Sequence, residues 1–478
     1  MDVVDLARWQ FAITTVYHYF FVPVTIGLSA IVAGFQTAWL RSRSPELLRL
    51  TKFFGKLFTI NFALGLVTGI VQEFQFGMNW SDYSRFVGDI FGAPLALEAL
   101  LAFFLESTFL GLWIFGWDRI PRWLHLASMW IVHVGTLLSA YFILAANSWM
   151  QNPVGYRYSP VTDRAELTDF GAVLLNPVQL VTFPHVAGAA YLVGGAFVMG
   201  IGLWHLRRRD VGEDRRMYRR ATRAGAWVTL VAALVVAVSG DVQGKVMTDV
   251  QPMKMAAAEA LYESAEGHAP FSLLTIGSLD GQHEKVAITV PSLLSFLATG
   301  HFDGKVEGIN ELKAQYQERY GTSPDVRQHS DSYTPNIPLA YWTFRLMIGV
   351  GMAAALVAAA VLWATRRDRI PRHRWWLWVA VVTPLLPILG NSFGWIFTET
   401  GRQPWLVFGV MTTSSGVSPG VSVAEVITSM AVFTLLYGVL AVIEVGLTLK
   451  YVRRGADPYE EPVDPAHRDD DAPLLFAY

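Results

Sequence analysis

The chain has 478 residues, of which 53% are hydrophobic, 13% are aromatic and only 16% are charged. A soluble protein carries about a quarter charged residues, so this composition indicates a membrane protein. The net charge of −2 gives no electrostatic support for nucleic-acid binding, and the lack of cysteine excludes thiolate-ligated haem, iron–sulfur clusters and disulfides.

Nine apolar stretches are predicted to cross a membrane, at roughly 9–40, 53–76, 91–117, 123–147, 177–206, 221–244, 338–365, 375–398 and 422–450. Arginine and lysine are concentrated in the connections after spans one, three, five and seven and in the segment after span nine. The positive-inside rule therefore predicts an N-terminus outside and a C-terminus inside the cell. The first residues carry Asp2 and Asp5 without a basic leader, so they do not indicate a cleavable signal peptide.

These stretches predict an all-α integral membrane protein in four parts: 1–244 with the first six helices, an outer loop at 245–337, 338–454 with the last three helices, and an unordered cytoplasmic tail at 455–478. The outer loop has helical patterns near Ala256–Glu266 and at Asn310–Tyr320. A loop of this length is either functional or a flexible insert.

Several ionisable or sulfur-containing side chains fall inside or at the edge of the apolar stretches. Such groups are costly in a bilayer and are usually paired or functional. At a rise of 1.5 Å per residue, His18, His185 and Met347 lie about 12–14 Å from the predicted outer ends of their spans, and Glu106 lies deeper than Glu98. Their common depth indicates bound metal centres and a proton route. The full set is His18, Glu98, Glu106, His185, Met347 and Glu399.

Each of these residues also has a structural interpretation. A membrane histidine often bonds to a neighbouring helix, a methionine often fills a core, and Glu98 and Glu106 are explicable as hydrogen-bonded groups. Small residues after His185 would let a flat macrocycle approach the backbone. Arg345 is harder to explain without an anionic partner. A transporter with buried charges remains an alternative at this point.

Two segments of the chain resemble the signature sequences of a known protein family. Gly77–Arg119 (GMNWSDYSRFVGDIFGAPLALEALLAFFLESTFLGLWIFGWDR) and Gly394–Trp405 (GWIFTETGRQPW) resemble signature blocks of subunit 1 of the cytochrome bd quinol oxidases. Shorter matches are Ile60–Gly69, Ala146–Pro153 and Asp249–Glu259. The resemblance extends over essentially the whole membrane domain. The long loop is similar to the short type of the family's quinol-binding loop.

The resemblance implies two haems b and one haem d in this subunit. It assigns His185 and Met347 as the axial pair of the low-spin haem b, and Glu399 as the ligand of the high-spin haem b. His18 is the ligand of a high-spin haem, with haem d preferred. Arg345, Arg402 and Trp395 are expected at the cofactors.

The resemblance also implies that the chain is the catalytic subunit of a respiratory terminal oxidase in the bacterial plasma membrane. Quinol would be oxidised at the outer face with Lys254 and Glu259, and O2 reduced to water with Glu98 and Glu106 near the oxygen site and the proton route. Charge would cross the membrane without pumping. The implied partners are a second large membrane subunit and single-span accessory subunits. A cyanide-insensitive relative without haem d is the alternative.

Overall fold

A computed structural model describes residues 2–208, 212–277, 283–324, 326–371 and 373–462. Its helices are α1 Val3–Ser42, α2 Pro45–Met78, α3 Ser81–Leu97, α4 Phe104–Phe115, α5 Arg122–Gln151, α6 Phe170–Leu174, α7 Pro177–Arg207, α8 Arg215–Val250, α9 Pro252–Glu259, α10 Leu293–Thr299, α11 Ile309–Tyr320, α12 Ile337–Ala364, α13 Trp375–Val382, α14 Leu385–Thr400 and α15 Val423–Arg454. Its strands are β1 Tyr156–Ser159, β2 Arg164–Leu167, β3 Phe271–Gly277, β4 Glu284–Val290, β5 Trp405–Val407 and β6 Met411–Thr412.

Nine helical segments in the described part of the chain are long and apolar enough to cross a membrane, which confirms the predicted number. The third span joins α3 to α4 through a π-helical turn at Glu98–Phe103, and it begins ten residues earlier than predicted, at Ser81. The long connection lies between the sixth and seventh spans, α8 and α12, as predicted. Of the predicted tail, residues 463–478 lie outside the described residues.

The chain is mostly helical, in line with the all-α prediction, and its connections also contain three antiparallel hairpins that were not predicted, β1–β2, β3–β4 and β5–β6. One detail of the prediction was wrong. The helical pattern near Ala256–Glu266 belongs to a helix that ends at Glu259, where Ala260 takes a left-handed conformation. Its amide bonds back to the last turn, so the alanine-rich run stops before the predicted end. The pattern at Asn310–Tyr320 is confirmed as α11.

The spans differ greatly in burial. In the most apolar stretch of the fifth span, which contains α7, 72% of residues are buried, against 11% in α15. The backbone of α7 packs against that of α1 with almost no space between them. A Cβ on Gly27 of α1 would lie 2.4 Å from the carbonyl oxygen of Ala190 on α7. Glycine is therefore required at this crossing. Most of the apolar surface of α15 faces away from the rest of the chain.

The bundle has two distinct ends. At the loop end, connections from different spans bond to each other, as Phe408 does to Met150 and Ser418 to Asn79. At the far end, Arg49 makes a two-bond ion pair with Asp214, at 2.5 and 2.8 Å, and Lys56 pairs with Asp457. These contacts hold the ends of separate helices in register and so fix the depth of the side chains between them.

Candidate functional site

His18 is held by a hydroxyl on the neighbouring helix. Its Nδ1 lies 2.9 Å from the Thr68 hydroxyl on α2. That hydroxyl already donates its proton to the Gly65 carbonyl at 2.8 Å, so it accepts from the imidazole. The proton on Nδ1 leaves the ring lone pair on Nε2, which is the form of histidine that binds a metal.

His185 has the same arrangement on a different pair of helices. Its Nδ1 lies 3.2 Å from the Ser239 hydroxyl on α8, which donates to the Val235 carbonyl at 2.7 Å. Both predicted haem histidines thus donate from Nδ1 to a neighbouring helix, which leaves the ring lone pair on Nε2.

A glycine lies against each of the three predicted axial side chains. A Cβ on Gly69 would lie 3.2 Å from Cε1 of His18, and one on Gly240 would lie 3.2 Å from Cε1 of His185. A Cβ on Gly394 would lie 2.9 Å from the sulfur of Met347. The contacts of Met347 are with α14 and those of His185 with α8; none of them joins the two side chains directly. The donor set and the glycines fit haem ligation.

Two other buried histidines of the spans, His125 and His133, have both ring nitrogens occupied. His125 accepts from Gln36 at Nδ1 and donates to the Trp113 carbonyl from Nε2, both at 2.7 Å. His133 contacts the Ser29 hydroxyl at 2.9 Å and the Tyr191 hydroxyl at 3.2 Å. The two bonds of His133 favour a structural role for this side chain.

Glu98 and Glu106 both face α5. They are eight positions apart, which in a regular helix leaves them about 80° out of line. The π turn at Glu98–Phe103 adds a residue to one turn and brings them close to alignment. Ser139 donates to Glu98 at 2.8 Å, and Gly135, one turn earlier on α5, leaves room for Glu106. Both carboxylates thus lie against α5, and Ser139 bonds to Glu98.

Glu106 is the less solvated of these two carboxylates. Its side chain is 7% exposed, and its Oε1 has no hydrogen-bond partner among the described residues. A buried carboxylate oxygen without a donor is unstable as an anion and favours a bound proton or an added donor. This is the environment expected of a group that holds a proton in transit.

Glu399 is the most heavily bonded candidate ligand. Asn147 donates to its Oε1 at 2.9 Å and Arg402 to its Oε2 at 2.5 Å. A carboxylate has about four acceptor positions, so two remain for a metal. Nη1 of Arg402 and Nη1 of Arg345 are each buried with no hydrogen-bond partner in the part of the chain that the structure describes. Each guanidinium therefore keeps a donor suited to a further anion such as a propionate. Trp395 lies on the same helix as Glu399 and packs edge-on against Tyr19.

Lys254 is buried beside this group rather than exposed in the loop. Its Nζ donates to the Thr398 carbonyl at 3.0 Å and to Gln151 at 3.1 Å. Burial, reinforced by the charge of Arg402, lowers the pKa of Lys254 to about 7. A narrow cleft beside it is lined by Gln251, Tyr333, Arg402 and Trp405, among others. Nothing in the sequence indicated Gln151 and Asn147 beyond their place in the short match Ala146–Pro153.

Glu259 lies on the opposite side of α9. Its carboxylate is 2.5 Å from Nη2 of Arg345 and accepts from the Ser272 amide at 3.3 Å. Burial raises the pKa of Glu259 to about 7, although the Arg345 guanidinium favours its charged form. Arg345 was expected to face a propionate, but one of its nitrogens is bound to Glu259. The resemblance assigned Lys254 and Glu259 to one quinol site, but the two side chains face different surroundings. They are five residues apart on α9, and five residues of a helix rotate the side-chain direction by about 140°.

Three residues of this region were missed by sequence reasoning. Thr68 and Ser239 orient the two histidines, and the Tyr341 hydroxyl bonds to the Ser272 hydroxyl at 2.7 Å above Glu259. Thr68 lies in the short match INFALGLVTG, one position before Gly69, but nothing marks the serine on α8 as different from other small polar residues in spans.

Comparisons with known proteins give one consistent answer. Residues 6–456 match the family model described as cytochrome bd terminal oxidase subunit I. The chain is 43% identical over 459 residues to the cytochrome bd ubiquinol oxidase subunit 1 of Bacillus subtilis, covering 96% of this chain and 95% of that protein. It is 37% identical to the cytochrome bd-II ubiquinol oxidase subunit 1 of Escherichia coli, covering 95% and 97%. A chain of the solved bd oxidase from Geobacillus thermodenitrificans superposes with a TM-score of 0.81 at 27% identity, covering 95% and 99%.

Proposed function

Because the chain belongs to the cytochrome bd terminal oxidase subunit I family, we propose that it is the haem-carrying catalytic subunit of a respiratory quinol oxidase. The reaction class is quinol:oxygen oxidoreduction, in which two quinols and one O2 give two quinones and two waters. The nine apolar spans and the family membership make the chain a multi-pass protein of the bacterial plasma membrane. The observation that carries the haem assignment is the shared geometry of His18 and His185, both presenting Nε2.

The residues proposed to hold the cofactors are those that the family resemblance implies, and the geometry of the two histidines supports them. His185 and Met347 would hold a low-spin haem b, His18 the high-spin haem at the oxygen site, with haem d preferred, and Glu399 a high-spin haem b. When bound, these groups supply one-electron transfer and an iron with an open position for oxygen. The unpaired nitrogens of Arg345 and Arg402 are suited to propionates, with Trp395 nearby. A relative with a b-type group in place of haem d, insensitive to cyanide, is the alternative.

Quinol oxidation is assigned to the loop between α8 and α12. Glu259 is the proposed proton acceptor, since a buried carboxyl with a pKa of about 7 takes and releases a proton near neutral pH. Arg345 holds the carboxylate in place at 2.5 Å. Lys254, with a pKa of about 7, is proposed to donate a hydrogen bond to the substrate oxygen or to a nearby propionate.

The protons for water are assigned a separate route. Glu106 would hold a proton arriving from the far end of the bundle, and Glu98, positioned by Ser139, would stand next to it on the same face. The basic connections at the far end favour a cytoplasmic position for that end, with the N-terminus and the long loop outside. Quinol protons released outside and water protons taken from inside would make the reaction electrogenic without a pump.

The proposal includes partners. Both of these relatives are named as subunit 1 of an oxidase. That name supports a second large membrane subunit for this chain as well. The apolar stretches of α12 and α15 are largely unburied by the rest of the described chain, which leaves surface for such a partner. Accessory single-span subunits belong to the same proposal. We also propose that the chain divides into four parts, at 1–244, 245–337, 338–454 and 455–478.

The decisive experiment is a visible difference spectrum of the purified complex, reduced minus oxidised. We expect His185→Ala and Met347→Leu each to abolish the low-spin haem b band and quinol oxidation, because each removes one axial ligand. His133→Phe is the matched control, since that imidazole already has a hydrogen-bond partner at each nitrogen, and it should keep the band. Retention of the low-spin band in both ligand variants would refute the pair.

A further inference from the structure

The hairpin β3–β4 in the long loop is amphipathic, and its faces are reversed relative to a hairpin on a soluble protein. Cross-strand pairing of Leu274 with Ile288 and of Ile276 with Val286 places four large apolar side chains on one face. The opposite face carries Ser272, Thr275, Ala287 and Thr289. A soluble protein turns the apolar face inward.

Here the polar face of β3 packs on the protein. Ser272 and Thr275 are 3% and 4% exposed and bond to each other at 2.6 Å. The apolar face is open, with Ile276, Val286 and Ile288 at 51%, 52% and 54% exposure. Leu273, displaced outward by a bulge, is 55% exposed. An outward apolar patch of this kind marks an interaction surface.

The rest of the loop provides an internal comparison. Beyond the hairpin, Phe296 and Phe302 are also exposed, and their rings stack at 4.8 Å. From residue 303 to the start of α12, no large apolar side chain of the described residues is exposed. The apolar surface is therefore confined to the first half of the loop, whereas the second half has a surface suited to water.

The position of the hairpin identifies what covers that surface. The Ser272 hydroxyl bonds to the Tyr341 hydroxyl at 2.7 Å, and Arg345 donates from Nε to the Ser272 carbonyl at 2.7 Å. Both partners lie in the first turns of the membrane-spanning α12. At the same level of α12, Trp342 and Leu346 are 44% and 41% exposed, as lipid-facing side chains at a membrane boundary are.

We propose that the apolar face of β3–β4 is immersed in the lipid bilayer at the headgroup boundary of the leaflet on the loop side. The unpaired edges of a two-stranded hairpin exclude the hydrocarbon centre, because backbone groups there would lack partners. A boundary position satisfies both requirements, since the edges meet water and headgroups while the four side chains meet acyl chains. The occupant is lipid rather than a second protein.

The immersed hairpin is joined to the proposed quinol site. The Ser272 amide donates to Glu259, and the Ser272 carbonyl accepts from Arg345. One face of β3 thus meets lipid while the other meets the proposed proton acceptor. This step rests on the proposed function: a lipid-soluble quinol moves from the bilayer along the surface of the hairpin to reach Glu259.

The test uses single cysteines, since the chain has none of its own. Ile276→Cys and Ile288→Cys carry a nitroxide in the full complex, reconstituted in phosphatidylethanolamine–phosphatidylglycerol nanodiscs. Thr289→Cys, next to Ile288 on the opposite face, and Ala314→Cys, on the exposed side of α11, are the matched controls. Collision with oxygen, which is enriched in lipid, is compared with collision with a water-soluble nickel chelate.

We expect the oxygen-to-nickel ratio at Ile276 and Ile288 to exceed that at both controls several-fold. Equal nickel access at all four positions would put the hairpin in water and overturn the proposal. Labels at Ile276 and Ile288 that neither reagent reaches would overturn it in favour of a covering protein subunit. These readouts need no turnover, so they are independent of the proposed activity. The double variant I276S/I288S then tests the quinol route: the KM for a membrane quinol should rise, with the haem spectrum unchanged, and an unchanged KM would remove the route alone.

Discussion

Two histidines toward the loop end and two toward the far end of the bundle form different sets of hydrogen bonds. Toward the loop end, His18 and His185 each donate from Nδ1 to one hydroxyl and lie beside a glycine. Toward the far end, His125 and His133 bond through both nitrogens to other helices. All four imidazoles are enclosed by the bundle, so burial alone does not separate the two pairs, whereas the hydrogen-bond partner of the second ring nitrogen does.

The largest effect that follows from this comparison is the loss of His18. We expect His18→Ala to abolish oxygen reduction and to remove one high-spin haem signal, because no other described side chain replaces its Nε2. The matched change is His125→Gln, which should keep all haem bands. Oxygen consumption by an electrode and pyridine haemochrome content give the two readouts. Loss of the same haem in both variants would erase the distinction between the two ends.

A smaller effect is expected at Glu106. Glu106→Gln keeps the volume of the side chain but cannot carry a proton, so turnover should fall about 100-fold, as on loss of a general acid or base. The haem bands should remain, because the residue is not a proposed axial ligand. Ser107→Ala, on the exposed side of the same helix, is the control. Unchanged oxygen consumption in Glu106→Gln would remove this carboxylate from the proton route.

The hydroxyls that orient the histidines should matter less than the histidines themselves. Thr68→Val and Ser239→Ala remove the acceptor for Nδ1 and should lower haem retention or activity roughly tenfold, the lower end of the effect of such supporting bonds. Ser29→Ala removes the analogous acceptor of His133 and should leave haem content unchanged. Equal haem loss in all three would show that the hydroxyls act through stability alone.

The smallest effect concerns pH at Glu259. The carboxylate form accepts the quinol proton, and with a pKa of about 7 its population falls as pH drops through 7. Quinol oxidation should therefore decline by a few-fold on the acid side, and Glu259→Gln should lose this dependence while an artificial electron donor still supports oxygen reduction. Retention of the acid decline in the variant would assign it to another group.

The arrangement of the spans was predictable because it depends on local properties. Hydropathy along the chain gave nine spans and the long connection, since every stretch must bury its own backbone bonds in lipid. His18, His185 and Met347 could likewise be identified from their apolar surroundings in the sequence, without knowledge of the residues they contact. The hairpins were missed because a two-stranded turn in a polar loop has only a weak pattern, and β3–β4 carries its apolar face outward.

The sequence by itself determined which costly groups enter the membrane and roughly how deep they lie. Only the tertiary structure decided what each group faces, because that depends on helix rotation and on residues far away in the chain. Thr68 meets His18 across 50 positions, and Arg345 meets Glu259 across 86. The π turn at Glu98–Phe103 realigned two carboxylates by a single inserted residue. Composition and periodicity do not predict such contacts, because the contacts form only when separate helices pack.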